Sequence, residues 1–243
     1  MNLMKAVILA GGKGTRLKPY TTFVPKPLMP IGDFPIIEVV LRQLRFYGIN
    51  QVTVAVGPMA QLIESFIGDG GRFDMKIDYS EESEPLGTAG PLALLRERFG
   101  PAEDVLVMNG DLLTTLNFHD AVEYHRSSKA AATICVNRRE VPIDFGVLVA
   151  DEAGNLRDYK EKPVLGYDVS MGINILSRRA LDAIPRGRPY TIPELMLALM
   201  KAGDKVACFK SSCFWLDIGR VDDYAQACEQ FEARRREFLP DEG

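Results

Sequence analysis

Short apolar runs rich in β-branched residues alternate with longer segments of helical periodicity, and this alternation restricts the possible folds more than any other feature. The runs that predict buried strands are Ala6–Leu9, Val52–Val56 and Val105–Met108. The segments that predict helices are Ile36–Tyr47, Leu62–Ile67 and Thr88–Phe99. Because parallel strands need a crossover between them, the pattern indicates βαβ units stacked into one open sheet. The carboxyl edge of such a sheet forms a ligand crevice.

The pattern changes after about Lys129, where strand-like stretches are separated by charged or Gly/Pro turns. These stretches are Ala131–Val136, Gly146–Val149 and Gly172–Leu176, and predicted helices follow at Ile192–Lys201 and Val221–Phe238. We therefore predict one α/β domain over residues 1–243, with a Rossmann-like mixed, mostly parallel sheet flanked by helices. The half from about residue 130 to 243 adds antiparallel strands and a lid, and the charged tail Arg234–Gly243 is expected to fray.

Composition and charge exclude several classes of protein. Hydrophobic residues make up 47% and charged residues 26% of the 243 residues, as in an ordinary globular protein. With 29 Lys and Arg against 33 Asp and Glu, the net charge of −4 offers no cationic excess for a nucleic acid or an anionic membrane. The apolar run Met4–Ala10 is too short for a membrane span, and the four cysteines lack zinc or disulfide spacing. We expect a cytoplasmic protein with reduced thiols.

A glycine-rich segment, Leu9-Ala-Gly-Gly-Lys-Gly-Thr-Arg-Leu17, directly follows the first predicted strand. Glycines at this position let backbone N–H groups approach a phosphate or a base, and Arg16 can add a planar fork of charge. The segment is neither a Walker A motif nor a GxGxxG fingerprint. Taken alone it is also consistent with a tight turn.

A second motif, Lys26-Pro-Leu-Met-Pro30, follows in the same long loop, where prolines stiffen the chain around Lys26. The combined pattern resembles the sugar-1-phosphate nucleotidyltransferases. The resemblance implies that Arg16 and Lys26 grip a triphosphate and assist the departure of pyrophosphate, whereas Lys13 has at most a supporting role. It also implies that the nucleotide contacts Leu9, Ala10, Gly11, Gly12, Gly14 and Thr15.

Two carboxylates are candidates for a magnesium site. Asp111 ends the strand that begins at Val105, with Gly110 beside it, and Asp217 lies in Phe214-Trp-Leu-Asp-Ile-Gly-Arg220. A charge in that apolar stretch is costly unless it is paired or metal-bound, and Mg²⁺ needs only one or two carboxylates beside substrate phosphates. Taken singly, a turn cap or a structural ion pair is the alternative for each residue. Both fit the family's metal motifs, so the resemblance assigns Asp111 and Asp217 to one Mg²⁺.

The acidic loop Ser80–Gly90 is the candidate base-binding segment. Its part from Glu84 to Leu94 resembles mannose-1-phosphate guanylyltransferases, and alignment on Gly87 places Glu82 where thymidylyl and uridylyl relatives carry a base-reading glutamine. A carboxylate matches the two adjacent donors of guanine, whereas an amide suits thymine and uracil. We therefore favour GTP, although a solvent-facing Glu82 remains the alternative. The other nucleotide contacts that the resemblance implies are Pro85, Gly87, Thr88 and Gly110.

The resemblance places the sugar phosphate under the second half of the chain. Glu161-Lys-Pro163 matches a family motif in which Glu161 accepts bonds from sugar hydroxyls and Lys162 contacts the phosphate. Gly146, Gly172 and Asn174 match positions where the chain approaches the sugar ring. Asp144-Phe145 stands where relatives often carry a Lys-Tyr pair, which puts the sugar preference in doubt. A surface salt bridge is the alternative for Glu161 and Lys162.

The expected reaction joins a nucleoside triphosphate, preferably GTP, to mannose or heptose 1-phosphate. The alternatives are a glucose-1-phosphate thymidylyl- or uridylyltransferase and a catalytically silent regulatory subunit that binds nucleotide sugars. The resemblance divides the chain into a nucleotide-binding half of about residues 1–129 and a sugar-binding half of about 130–243. It stops near Phe231, without the left-handed β-helix that many guanylyltransferases carry, and we expect a homodimer.

Overall fold

The computed structural model describes residues 4–12, 14–57 and 59–240. The strands are, in chain order, β1 (Lys5–Ala10), β2 (Pro30–Ile31), β3 (Phe34–Pro35), β4 (Gln51–Val56), β5 (Lys76–Glu81), β6 (Val105–Asn109), β7 (Leu112–Thr114), β8 (Ala132–Pro142), β9 (Val147–Ala150), β10 (Leu156–Lys160), β11 (Val164–Leu176), β12 (Val206–Ser211) and β13 (Trp215–Asp217). The helices are α1 (Ile36–Phe46), α2 (Ala60–Ile67), α3 (Gly90–Leu95), α4 (Phe118–Ser128), α5 (Arg178–Asp182), α6 (Ile192–Lys201), α7 (Val221–Ala233) and α8 (Arg235–Phe238).

The main sheet has the strand order β12-β8-β11-β6-β1-β4-β5. Strands β1, β4, β5 and β6 are mutually parallel, and β8 and β12 run in the same direction. In the part of the chain that the structure describes, β11 alone is antiparallel to its neighbours in this sheet. The prediction of a mixed, mostly parallel sheet flanked by helices is therefore confirmed.

Burial on both faces explains why the central strands read as continuous apolar runs. Val7 of β1 packs into one core cluster and Ile8 into the other. The apolar face predicted for α1 covers the second cluster through Ile37, Val40, Leu41 and Leu44. The chain passes from β1 to β4 and β5 on one side and then returns to β6 on the other. This reversal of strand order opens a crevice at the carboxyl end of β1.

Two long strands carry the second half of the chain beyond the sheet. The outer parts of β8 and β11 pair antiparallel from Asn137 to Pro142 and from Val164 to Val169, and we call this pair the ribbon. Between them, β9 and β10 form a separate antiparallel pair. The expected antiparallel addition is present, and its side chains are mostly exposed.

The end of the chain is better packed than its charge suggests. Phe238 and Leu239 are fully buried, and the Phe238 ring stacks on Phe231 with centroids 5.9 Å apart. Arg235 also donates to Asp33 at 3.1 Å. The prediction of fraying is therefore wrong for residues 234–240, because aromatic burial outweighs the surrounding charge; residues 241–243 lie outside the described part. Within that part, no helix is long and apolar enough to cross a membrane.

Candidate functional site

Three adjoining cavities open at the carboxyl edge of the sheet. The large cavity, of about 1050 Å³, lies between the glycine segment, the start of α2 and residues 81–88. The central cavity, of about 240 Å³, lies over the glycine segment and is lined by Arg16, Lys26 and Asp111. The arginine cavity, of about 500 Å³, is lined by Arg16, the ribbon and the start of α7. The site is therefore a chain of spaces that meet at the predicted catalytic residues.

The glycine segment forms the floor shared by the large and central cavities. Leu9 and Gly12 line both, Gly11 lines the large one, and the central one is also lined by Ala10, Gly14, Thr15 and Gly110. Gly14 has φ of +59°, a left-handed conformation that disfavours a side chain, and its carbonyl accepts a 2.7 Å hydrogen bond from Thr21 Oγ1. The predicted segment therefore lies where a ligand would meet its backbone. Lys13 is outside the described residues.

Lys26 and Asp111 form the best buried ion pair of the site. Lys26 is only 8% exposed, and its ammonium contacts Oδ2 of Asp111. The other carboxylate oxygen, Oδ1, is buried without a hydrogen-bond partner. A buried acceptor without a partner is costly, which makes this oxygen available to a cation or a donor.

Asp217 is brought beside Asp111 by the pairing of two short strands. In this pairing β13 lies antiparallel to β7, and the N–H of Ile218 donates to the Asp111 carbonyl at 3.1 Å. Burial raises the pKa of Asp217, and the Asp111 carboxylate raises it further. Lys26 and Arg16 partly oppose this rise.

The pair of carboxylates fits a hard divalent cation. Asp111 and Asp217 repel one another, and the buried Oδ1 of Asp111 has no partner, so a cation bound between them would relieve both penalties. Among the described residues, no group of three or more His, Cys, Asp or Glu forms a complete metal cage. Such a site would thus need ligands from substrate or water.

Glu82 is half-buried and lines the large cavity. Its Oε2 accepts a 2.8 Å hydrogen bond from the N–H of Leu86, which closes the loop between the two residues. Its Oε1 lies against Gly11, where an added Cβ would come within 2.9 Å. Burial raises the pKa of Glu82, and the bond from Leu86 partly opposes the rise. The carboxylate is therefore held beside the glycine segment, and one oxygen is already engaged within the loop.

The segment after Glu82 is fastened to the second half of the chain. Gly87 has φ of +78°, and a Cβ there would lie 2.7 Å from the carbonyl oxygen of Tyr190. Thr88 Oγ1 accepts a 2.9 Å bond from the N–H of Ile192. Gly87 and Thr88 line the large cavity with Pro85. Their packing fixes the cavity wall, so both residues have a structural role.

The start of α2 forms the wall of the large cavity that faces residues 81–88. The sequence analysis did not predict this wall. Met59 has φ of +69° directly before α2, and Gln61 lies in its first turn. Both residues line the cavity, as does Gly57, where a Cβ would lie 2.8 Å from the carbonyl oxygen of Gly11. The sequence signal that could have indicated this wall is the Gly-Pro pair directly after β4, because the strands of this sheet end at the crevice. Pro58 itself lies outside the described residues.

The predicted sugar residues are only partly brought together. Gly146 lies against Tyr159 and Glu161, and the Tyr159 hydroxyl donates to Glu161 Oε2 at 2.9 Å. Lys162 follows with φ of +44°. These residues lie with the exposed strands beside the ribbon and do not line the three cavities. The sugar contacts expected from Gly146, Glu161 and Lys162 stay a prediction.

Asn174, another of the predicted sugar contacts, lies within the main sheet. It is 3% exposed within β11, between β6 and β8, and lines none of the three cavities. Its Oδ1 is buried without a partner. Asn174 therefore lies inside the sheet, and a sugar contact from it stays a prediction. Gly172, two residues earlier, packs against the side chain of Asn109, which lines the large cavity.

The remaining titratable side chains considered for the site are the histidines and the cysteines. His119 and His125 both lie on α4, and His125 is only 2% exposed, with Nδ1 2.8 Å from Thr133 Oγ1. The apolar side of α4 packs on the sheet, which places His125 inside. Cys135, Cys208, Cys213 and Cys228 are all free thiols, as expected. These groups lie outside the three cavities.

Comparison with known proteins identifies one protein family over most of the chain. A family model described as nucleotidyl transferase matches residues 5–234. A UTP-glucose-1-phosphate uridylyltransferase of Synechocystis is 38% identical over 242 residues, covering 92% of this chain and 62% of the relative. Probable mannose-1-phosphate guanylyltransferase 1 of Oryza sativa subsp. japonica is 35% identical over 227 residues, covering 91% and 63%.

Among solved structures, HddC from Yersinia pseudotuberculosis complexed with GMP-PN is 26% identical with a TM-score of 0.72, and the match covers 94% of this chain and 99% of that one. The chain spans about three fifths of the length of the two curated relatives. The family match nevertheless extends from β1 to the end of α7 and includes both carboxylates and the glycine segment. The chain therefore belongs to the nucleotidyl transferase family.

Proposed function

We propose that this protein transfers a nucleotidyl group from a nucleoside triphosphate to a sugar 1-phosphate and releases pyrophosphate. The observation that carries the proposal is the convergence of Arg16, Lys26, Asp111 and Asp217 at the junction of the three cavities. A catalytically silent regulatory subunit could lose any of the four without unfolding. Their presence together favours the enzyme over that alternative.

The proposed step is an in-line displacement at the α-phosphorus. A sugar-phosphate oxygen forms the new bond to phosphorus, the bond to the bridging oxygen breaks, and pyrophosphate leaves with the electron pair. Arg16 and Lys26 neutralise charge that develops on the departing phosphates, while the glycine segment offers backbone N–H groups to them. Because the family reaction needs no covalent intermediate, the chain acts by aligning the reactants and stabilising charge.

Magnesium is the cofactor that we propose for the carboxylate pair. Asp111 and Asp217 would hold it, since Asp111 has a buried oxygen without a partner and the two carboxylates lie close together. When bound, the ion would neutralise phosphate charge and help orient the reacting groups. Lys26 contacts the other carboxylate oxygen of Asp111.

We propose GTP as the preferred nucleotide and mannose or heptose 1-phosphate as the acceptor. Glu82 offers a carboxylate at the wall of the large cavity, and a carboxylate suits guanine's adjacent N1–H and amino donors. The guanylyltransferase relatives support this choice. The 38% identical uridylyltransferase supports a second candidate, uridylyl transfer to glucose 1-phosphate. A cytoplasmic location and a homodimer belong to the same proposal.

A pyrophosphate-release assay tests the proposal. GTP, UTP, dTTP and ATP are each combined with mannose, heptose and glucose 1-phosphates in the presence of Mg²⁺. We expect the highest kcat/KM with GTP and mannose or heptose 1-phosphate, and dependence on both substrates. Highest activity with UTP and glucose 1-phosphate would favour the second candidate. Absence of pyrophosphate release with every pair would contradict nucleotidyl transfer.

A further inference from the structure

We propose that the arginine cavity binds the distal phosphates of the nucleotide and then the departing pyrophosphate, with Arg139 and Arg220 as phosphate-binding residues beside Arg16. The inference rests on the proposed nucleotidyl transfer and assigns part of that site to two residues that the family motif does not include. Arg139 comes from the ribbon and Arg220 lies directly before α7. Both line the same cavity as Arg16 and Asp217.

The direction of the bound nucleotide follows from the residues that the cavities share. The large and central cavities share Leu9, Gly12 and Asp111. The central and arginine cavities share Arg16 and Gly219. A nucleotide with its base in the large cavity and its α-phosphate near Asp111 therefore extends its β- and γ-phosphates towards Arg16. The next space along that line is the arginine cavity.

The arginines of this cavity differ in whether their guanidinium groups already bond to another side chain. Arg138 donates to Asp168 Oδ1 at 3.4 Å and lies over Gly166. Arg139 and Arg220 make no side-chain hydrogen bond or ion pair with the described residues, and both are exposed. Planar guanidinium groups match phosphate oxygens in pairs, which a single lysine ammonium cannot do. Two unoccupied forks around one cavity therefore favour a phosphate ligand.

The charge lining the arginine cavity also favours an anion. The residues that line this cavity include four arginines, Arg16, Arg138, Arg139 and Arg220, and three acidic residues, Glu140, Asp217 and Asp223. Asp217 belongs to the proposed cation site, which would remove part of the negative charge. Arg139 and Arg220 reach the cavity from different elements, so a phosphate held between them would also tie the ribbon to α7.

The test compares ligands with and without distal phosphates. Dissociation constants for GTP, GMP, inorganic pyrophosphate and mannose 1-phosphate are measured by calorimetry for the wild type, Arg139→Gln and Arg220→Gln. UTP and UMP replace GTP and GMP if the activity assay finds that UTP is used. Arg126→Gln, on the exposed side of α4, is the matched control for loss of one cation.

We expect each cavity variant to weaken GTP and pyrophosphate binding by about tenfold, the value of one charge-assisted hydrogen bond, and to leave GMP and mannose 1-phosphate within about twofold. Arg126→Gln should bind all four ligands as the wild type does. Equal weakening of GTP and GMP, weakening of mannose 1-phosphate alone, or no change would overturn the assignment while leaving nucleotidyl transfer intact. A wild type that binds and uses no nucleoside triphosphate would contradict the proposed function itself.

Discussion

The large cavity and the arginine cavity lie on opposite sides of the carboxylate pair and have opposite charge. The large cavity is lined by Glu81, Glu82, Glu84 and Asp111, and its described lining contains no Lys or Arg. The arginine cavity is lined by four arginines and three acidic residues, one of which, Asp217, belongs to the proposed cation site. An anionic triphosphate is disfavoured beside the glutamates and favoured beside the arginines. The difference indicates that one end of the crevice accepts a hydrogen-bond-donating base and the other accepts phosphates.

The largest expected effect concerns the carboxylates between the two cavities. Asp111→Asn and Asp217→Asn should each lower kcat by about 10²-fold or more, because each removes charge from the proposed Mg²⁺ site. Steady-state pyrophosphate release with saturating substrates and Mg²⁺ measures the loss. The control is Asp222→Asn, an exposed first-turn residue of α7. Near-normal turnover in both variants would remove the metal assignment.

A smaller effect is expected for Arg16, which lines both the central and the arginine cavities. Arg16→Lys keeps the charge but loses the planar fork, so kcat/KM for the nucleotide should fall by about 10- to 100-fold. Arg126→Lys makes the same change on α4 and should leave kcat/KM as it is. If Arg16→Lys also has no effect, Arg16 does not bind the triphosphate. The path proposed for the phosphates from the central cavity to the arginine cavity would then lose its support.

The acidic side is tested by Glu82→Gln. The amide oxygen can still accept the Leu86 N–H, so the loop should keep its shape while the group facing the base changes. The ratio of kcat/KM for GTP to that for UTP should fall by about 5- to 100-fold, the value of a good bidentate base contact. Glu81→Gln, the adjacent control, should move the ratio much less. Similar effects in the two variants would mean that Glu82 does not read the base.

The raised pKa of Glu82 gives the same contact a pH dependence. Burial raises this pKa, so as the pH falls the carboxylate takes up a proton before an ordinary glutamate does, and one acceptor is lost. GTP binding should therefore weaken on the acid side earlier than UTP binding does, and the difference should shrink in Glu82→Gln. Calorimetric titrations at several pH values measure it. Parallel pH profiles for the two nucleotides would argue against a base contact.

The smallest expected effect is at Gln61, on the wall opposite Glu82. Gln61→Ala removes a neutral amide that lines the large cavity, so the dissociation constant of GTP should rise by about 2- to 10-fold. Inorganic pyrophosphate should bind as before, because it has no base. Weakening of both ligands would show instead that the substitution disturbs α2.

The sequence predicts strands that are continuous apolar runs, because both of their faces are buried. It does not predict elements whose position depends on pairing with residues far away in the chain. Strands β1, β4 and β6 were predicted because both faces are buried, whereas β5 reads as polar with Lys76 and Asp78 at its exposed positions. Strands β7 and β13 have three residues each, too few for a periodic signal, yet their pairing brings Asp217 beside Asp111. The burial of Asn174 and of Phe238 likewise depends on contacts between distant parts of the chain.

Site residues could be predicted where a sequence motif directly follows a strand of the main sheet. Residues that line a cavity from other elements could not be predicted in this way. The glycine segment and Asp111 follow β1 and β6 directly, so their place at the crevice follows from the fold. Gln61 and Arg220 carry no such motif, and only the cavity lining identifies them. The bond from the N–H of Leu86 to Glu82 was also invisible to an alignment, although it engages one of the two carboxylate oxygens.

The most direct test of the proposed polarity is a crystal structure of the protein with Mg²⁺ and a non-hydrolysable GTP analogue. We expect the guanine in the large cavity within hydrogen-bond distance of Glu82, and the γ-phosphate beside Arg16 at the entrance to the arginine cavity. Guanine between the arginines, with the phosphates beside Glu81, Glu82 and Glu84, would contradict the assignment of the two cavities.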